Sequence, residues 1–121
     1  MENKRKCDCE SIHEYEASCA KTALKEAVGI NHLADFFKAF ADDTRLRIMC
    51  VLDSVGRMCV CDIAYALNMT KSAISHQLKY LKNTNLIRAE KVGKEVFYML
   101  ADNHVKTVYE MGLEHVKENN L

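Results

Sequence analysis

The chain has 121 residues, 17 basic and 17 acidic side chains, and 49% hydrophobic residues. This length fits one domain, and no apolar run reaches the roughly 18 residues that a membrane-spanning helix requires. The absence of proline and the four glycines favour a mostly helical protein. Because the first ten residues are charged and no apolar stretch follows them, we expect no secretory signal, a cytoplasmic protein and no membrane partner.

The amino-terminal half predicts a polar arm followed by helices. Residues 1–10 are expected to form a mobile, metal-binding arm, and residues 11–121 the folded domain. Asp42 or Asp43 is expected to cap the third helix, and Cys50 is predicted to lie in the core because it belongs to an apolar helical stripe. Three helices are predicted here from the spacing of apolar residues: Ser11 to about Val28, Asn31 to Phe40, and Thr44 to about Asp53.

The next segment predicts a helix-turn-helix. Two short helices are predicted, Met58 to Leu67 and Lys71 to about Thr84, joined by a short turn with Thr70 as the N-cap of the second. Ile74, Leu78 and Leu81 form the stripe that faces the core. Small polar and basic side chains on the rest of this helix suit entry into the major groove. The predicted DNA-contacting residues of the helix are Lys71, Ser72, Ser75, His76 and Lys79.

After Asn85 the apolar residues alternate with a period of two. This pattern predicts a β-hairpin with Gly93 in its turn, and the lysines Lys91 and Lys94 at its tip can reach a neighbouring phosphate. A last helix is predicted from Asp102 to about Asn119. Residues 70–94 hold six cations and one anion, a net charge of +5, so the rest of the chain carries −5. A local basic surface on a neutral protein indicates a nucleic-acid partner.

Cysteines occur as two C-x-C pairs, Cys7 with Cys9 and Cys59 with Cys61. A disulfide within such a pair would close a strained ring, and cysteines of a cytosolic chain are more often metal ligands or reactive thiols. Two pairs can supply the four sulfurs of a tetrahedral site, which favours Cd²⁺, Pb²⁺ or Zn²⁺ over Mg²⁺ or Ca²⁺. Whether Cys9 or Cys19 completes the site, and whether it lies within or between subunits, stays open.

The last helix carries a second set of candidate ligands. Asp102 and His104 lie at its start, and His115 and Glu118 lie near its end on one face. His104 and His115 are separated by roughly 16 Å along a helix, so one chain cannot bring both to one ion. An antiparallel second copy of the helix can, and two-fold symmetry would give two equivalent sites suited to Zn²⁺.

Several runs resemble the ArsR/SmtB family of metal-sensing repressors, closest to its CadC-like, cadmium- and lead-responsive branch. These runs are Phe40 to Ile48, Cys59 to Ala64, Lys71 to Leu81 and Val92 to Tyr98. The resemblance implies a homodimeric winged helix-turn-helix protein with dimerising first and last helices, and a D-x-H…H-x-x-E zinc site. It also implies that Cys59 and Cys61 begin the helix before the recognition helix.

The residues and the resemblance together predict a metal-dependent repressor of metal-resistance genes. The metal-free dimer would bind a palindromic operator and leave it when metal binds. An arsenite- or antimonite-responsive repressor and a thiol redox switch remain alternatives, because three sulfurs suffice for trivalent arsenic and the two pairs could form a disulfide. No nucleophile–base constellation or phosphate-binding loop is visible, so we do not expect an enzyme.

Overall fold

The computed structural model describes residues 13–120 and is mostly helical, with one small sheet. The chain divides after His32 into two units, the first of which contains α1. No helix among the described residues combines the length and apolar character needed to cross a bilayer. In chain order the elements are α1 Glu14–Glu26, α2 Ile30–Phe40, α3 Asp43–Val55, β1 Met58–Cys59, α4 Val60–Leu67, α5 Lys71–Asn83, β2 Ile87–Val92, β3 Glu95–Leu100 and α6 Asn103–Asn120.

Three helices begin where a side chain accepts a backbone hydrogen bond. Asp42 accepts from the amide of Arg45 at 3.0 Å, and Thr70 accepts from Ala73 at 3.1 Å. Asp102 caps α6 in the same way. Each cap satisfies an N–H group that has no partner within its helix. The predicted starts of α3 and α5 are therefore confirmed.

The sheet contains one strand more than predicted. Strands β2 and β3 form the expected antiparallel hairpin, with Gly93 at a φ of +65° in its turn. Strand β1 adds to the other edge of β3, which gives the order β1-β3-β2. The predicted hairpin is thus part of a three-stranded sheet with β3 at its centre, and the edge strand β1 leads directly into α4.

The core confirms the predicted stripe of α5. Ile74, Leu78 and Leu81 are at most 1% exposed, and they pack with buried residues of α3 and α4. Arg45 of α3 links α2 to α5. Its Nε donates to the carbonyl of Ala39 on α2 at 2.8 Å, and its guanidinium lies 4.3 Å from the ring centre of Tyr80 on α5.

The prediction that Cys50 belongs to the core is wrong. Its side chain is exposed and lies at the rim of an apolar groove lined by α2, α3 and α6. The apolar stripe of α3 does face apolar side chains of α2 and α6, but these three helices line an open groove in the single chain. Burial and the neighbouring Cys50 raise the pKa of the Tyr109 hydroxyl.

Candidate functional site

The central cysteine pair lies where the sheet meets the helix-turn-helix. Cys59 is the last residue of β1 and the N-cap of α4, and Cys61 is the second residue of that helix. Cys59 is half-buried and Cys61 is exposed. The expectation that both residues begin the helix preceding α5 is confirmed.

Asp62 is a residue that sequence reasoning missed. The Sγ of Cys59 donates to its Oδ2 at 3.3 Å. An exposed carboxylate beside a thiol can orient that thiol toward an ion, or it can contribute an oxygen donor. The signal in the sequence is an aspartate three residues after the N-cap, in the first turn of the helix.

The described residues do not by themselves complete a metal site. No three histidine, cysteine, aspartate or glutamate side chains of residues 13–120 lie close enough together to hold one ion. A metal site at Cys59 and Cys61 would therefore need donors from outside the described part of a single chain. Cys7 and Cys9 lie outside the described residues, and Cys19 is exposed on α1.

The ligand candidates of α6 lie at opposite ends of that helix. Asp102 uses Oδ1 to accept from the amide of Val105 at 3.0 Å, and its Oδ2 lies 3.8 Å from Nδ1 of His104. The Val105 bond is the main cause that lowers the pKa of Asp102, and His104 contributes. His115 and Glu118 are exposed near the other end, and a single chain leaves the two pairs apart.

The carboxylate of Asp102 can cap α6 and still face an ion. One oxygen is used by the helix amide, and the other is directed toward the exposed imidazole of His104. The start of α6 is also held to α3, because Lys106 pairs with Asp53 at 2.5 Å. These contacts anchor the first turn of α6, on which Asp102 and the exposed His104 lie side by side.

All seven side chains that were predicted to contact DNA are exposed, on α5 and on the hairpin. Five belong to α5, from its first turn onward: Lys71, Ser72, Ser75, His76 and Lys79. Lys91 lies near the end of β2 and Lys94 lies beside Gly93 in the hairpin turn, and both are exposed. A helix start flanked by a basic hairpin is the arrangement with which winged helix-turn-helix proteins meet DNA.

An open apolar groove of about 620 Å³ lies between α2, α3 and α6. Phe37, Leu46, Leu113 and Val116 line it and are 38–49% exposed in the single chain. Large apolar side chains that share one exposed groove are typical of a surface that another polypeptide covers.

A family model described as "Bacterial regulatory protein, arsR family" matches residues 42–89, from the cap of α3 into β2. The transcriptional repressor SmtB homolog of Synechocystis sp. is 36% identical, over 94% of this chain and 86% of that protein. The cadmium resistance transcriptional regulatory protein CadC homolog of Staphylococcus aureus is 38% identical, over 95% of this chain and 94% of that protein. The chain belongs to the arsR family.

The solved structures agree with the arsR-family fold. A homodimeric winged helix-turn-helix DNA-binding domain from Mycobacterium bovis superposes with a TM-score of 0.73 and 27% identity, over 79% of this chain and 88% of that one. The predicted winged helix-turn-helix class is confirmed. The arsR-family relatives are transcriptional regulators, which confirms the expectation that the chain is not an enzyme.

Proposed function

We propose that this arsR-family regulator is a homodimeric repressor of metal-resistance genes that is released from DNA by a thiophilic divalent ion. The observation that carries the proposal is the position of Cys59 and Cys61 at the start of α4, which leads through a short turn into α5. A thiolate site there lies next to the DNA-reading unit. Action on operator DNA would place the protein in the cytoplasm.

On the DNA side, α5 enters the major groove of a palindromic operator, one helix from each subunit. Lys71, Ser72, Ser75, His76 and Lys79 face the bases and phosphates. Lys91 and Lys94 of the hairpin contact a neighbouring phosphate and fix the position of the dimer without reading sequence. The polar and cationic character of these exposed side chains supports this assignment.

On the metal side, Cys59 and Cys61 hold two thiolate positions, and Cys7 and Cys9 of the arm supply the others, with Cys19 as a further candidate. Soft sulfur donors favour Cd²⁺, Pb²⁺ or Zn²⁺. The cadmium resistance regulator among the relatives supports this choice of ion. The proton that Cys59 loses on binding the metal passes to solvent, and Asp62, whose Oδ2 lies 3.3 Å from the Sγ of Cys59, orients this ligand or adds an oxygen donor.

A second site for Zn²⁺ is proposed between the α6 helices of two subunits. Asp102 and His104 of one protomer meet the partner subunit's His115 and the partner subunit's Glu118. The short distance between Asp102 and His104 supports their assignment as one half of the site. The metal would fix the angle between the subunits and thus the spacing of the two α5 helices.

The apolar groove supports the homodimer. Exposed apolar side chains of α2, α3 and α6 line it, and the M. bovis structural neighbour is homodimeric. A second copy that covers this groove would bring its α6 alongside the first. Helix-turn-helix dimers contact half-sites one turn of DNA apart, so we expect the two α5 helices of this dimer to bind half-sites with that spacing.

The release of DNA requires that the metal bind the low-affinity conformation more tightly than the DNA-bound one. Typical coupling free energies are about 1–3 kcal/mol, which corresponds to roughly 5- to 150-fold in operator affinity. The arm sulfurs can supply such a preference if they reach Cys59 and Cys61 only in the released conformation.

The proposal is tested by titrating the metal-free protein onto a labelled DNA duplex, selected by the protein from a random pool. The affinity is measured by fluorescence anisotropy, alone and with Cd²⁺, Pb²⁺, Zn²⁺ or Mg²⁺. We expect the first three ions to weaken binding and Mg²⁺ to leave it unchanged. Cys59→Ser and Cys61→Ser should lose the Cd²⁺ response, and Ser54→Ala, at an exposed position of α3 that does not line the apolar groove, serves as the control.

Three outcomes would contradict the proposal. One is an unchanged operator affinity while thiolate absorbance shows that Cd²⁺ is bound. The others are release by arsenite with no response to divalent ions, and release by peroxide in the presence of a strong chelator. These last two would favour a trivalent-ion sensor or a redox switch instead.

A further inference from the structure

One side chain crosses the whole three-stranded sheet, whose hairpin of β2 and β3 (residues 87–100) is here called the wing. Arg57 lies immediately before β1, and its Nη1 donates to Oε1 of Glu90 on β2 at 3.1 Å. On the way its guanidinium carbon lies 4.5 Å from the ring centre of Phe97 on β3. Because β3 is the central strand, this single side chain joins both edge strands and rests on the middle one.

Cys59 lies in the same row of the sheet. The register pairs Cys59 with Phe97, and Phe97 with Glu90. Residues directly opposite each other in antiparallel strands direct their side chains to the same face. The candidate ligand and the contacts of Arg57 therefore share one face, with Phe97 between Cys59 and Glu90.

Strand β1 has little else that fastens it to the wing. It is two residues long and pairs with β3 at only Met58 and Cys59. The Arg57–Glu90 pair is about half exposed, and an exposed ion pair alone contributes little. A planar guanidinium can stack on an aromatic ring and pair with a carboxylate at the same time, so the two weak contacts act together.

We propose that Arg57, Phe97 and Glu90 form a strap that makes the wing move with Cys59. A displacement of Cys59 on metal binding would then shift β3 and β2, and with them Lys91 and Lys94 at the tip. Arg57 is a positioning residue, since it acts through the strands and not on metal or DNA. This inference rests on the proposed function, and it describes how metal binding at Cys59 would be transmitted to the DNA-contacting lysines of the hairpin.

The strap is tested with a charge-swap cycle in the full chain. Arg57→Glu and Glu90→Arg each place like charges together, and the double variant restores an opposite-charge pair. The readout is the hydrogen exchange of the amides of residues 87–100, first without metal. We expect each single variant to speed this exchange about three- to thirtyfold. The swap restores the ion pair but not the guanidinium at position 57 that lies on Phe97, so it should recover part of this change.

Two further variants keep the test decisive. Arg57→Lys retains the charge and gives up the planar stacking surface, so it should give an intermediate exchange rate even if the charge reversals fail to fold. Lys38→Glu reverses an exposed charge on α2, away from the sheet, and should leave the exchange of the wing unchanged.

The second stage adds Cd²⁺ to the same set. In the unaltered chain and the swap we expect Cd²⁺ to change the exchange of residues 87–100, and in the single variants we expect that change to disappear. Equal exchange in all variants, or a swap as fast as the single variants, would overturn the strap. Operator titration of the unaltered chain tests the proposed function separately, because the metal-free exchange measurements on the charge-swap variants require neither metal nor DNA.

Discussion

At the scale of single residues, the contact between Cys59 and Asp62 has the most direct chemical consequence. The thiol donates to a carboxylate within the same helical turn, at 3.3 Å. A carboxylate in contact with a metal ligand can hold that ligand in one orientation or add its own oxygen to the ion. The sequence contained both residues, but their contact became visible only when Cys59 was placed as the N-cap of α4.

The first prediction concerns this acceptor. Asp62→Ala should lower Cd²⁺ affinity about 10- to 100-fold, the usual cost of removing a group that supports a metal ligand. The affinity is measured by thiolate charge-transfer absorbance in competition with a chelator. Asp35→Ala, an exposed aspartate of α2, is the matched control, and an Asp62→Ala affinity equal to that control would contradict the assigned role.

The second prediction concerns acid. The amide of Val105 is the main cause that holds the pKa of Asp102 below its ordinary value of 3.8. The stability that this carboxylate contributes is complete above its ordinary pKa and is lost as the pH falls through the lowered, folded-state value. Thermal unfolding followed from about pH 5 to pH 2 should therefore show a steeper decline in the unaltered chain than in Asp102→Ala. Parallel curves would mean that the cap does not persist in solution.

At the scale of elements, the sequence predicts helix starts well, because neighbouring residues determine them. The starts of α3 and α5 follow from Asp42 and Thr70, whose side chains cap amides three residues ahead. Strand β1 was not predicted because two residues are too few to show a periodic pattern. The strand exists only through its pairing with β3, in which Met58 lies opposite Tyr98 and Cys59 opposite Phe97. Nonlocal pairing of this kind leaves no local pattern.

The third prediction belongs to the recognition helix. Thr70→Ala removes the N-cap of α5 and should cost about 1 kcal/mol of unfolding free energy. It should also weaken operator binding, because the capped turn carries Lys71 and Ser72. Urea denaturation and anisotropy measure the two effects. Thr107→Ala, at an exposed position within α6, should not weaken either.

At the scale of the whole molecule, the open groove explains the error over Cys50. Leu46 and Cys50 lie one helical turn apart on α3 and face a surface that a single chain leaves exposed. An apolar stripe in a sequence shows that a surface is to be covered, but not by which chain. The fold of one protomer could be predicted, whereas the completion of both proposed metal sites depends on the arm or on a second copy.

The fourth prediction tests the proposed dimer. Leu113→Glu places a charge in the groove and should shift the protein toward the monomer in sedimentation velocity, with a parallel loss of operator affinity. Val55→Glu, an exposed apolar position at the end of α3 that does not line the groove, is the control. A Leu113→Glu protein that remains dimeric would show that this groove is not the interface.

The central claim is that metal and operator oppose each other, and thermodynamic linkage offers its most direct test. The Cd²⁺ affinity of the protein is measured free and bound to operator, by chelator competition at fixed ionic strength. We expect operator to weaken Cd²⁺ binding by the same factor by which Cd²⁺ weakens operator binding, about 5- to 150-fold. Equal Cd²⁺ affinities of the free and the operator-bound protein would contradict the account.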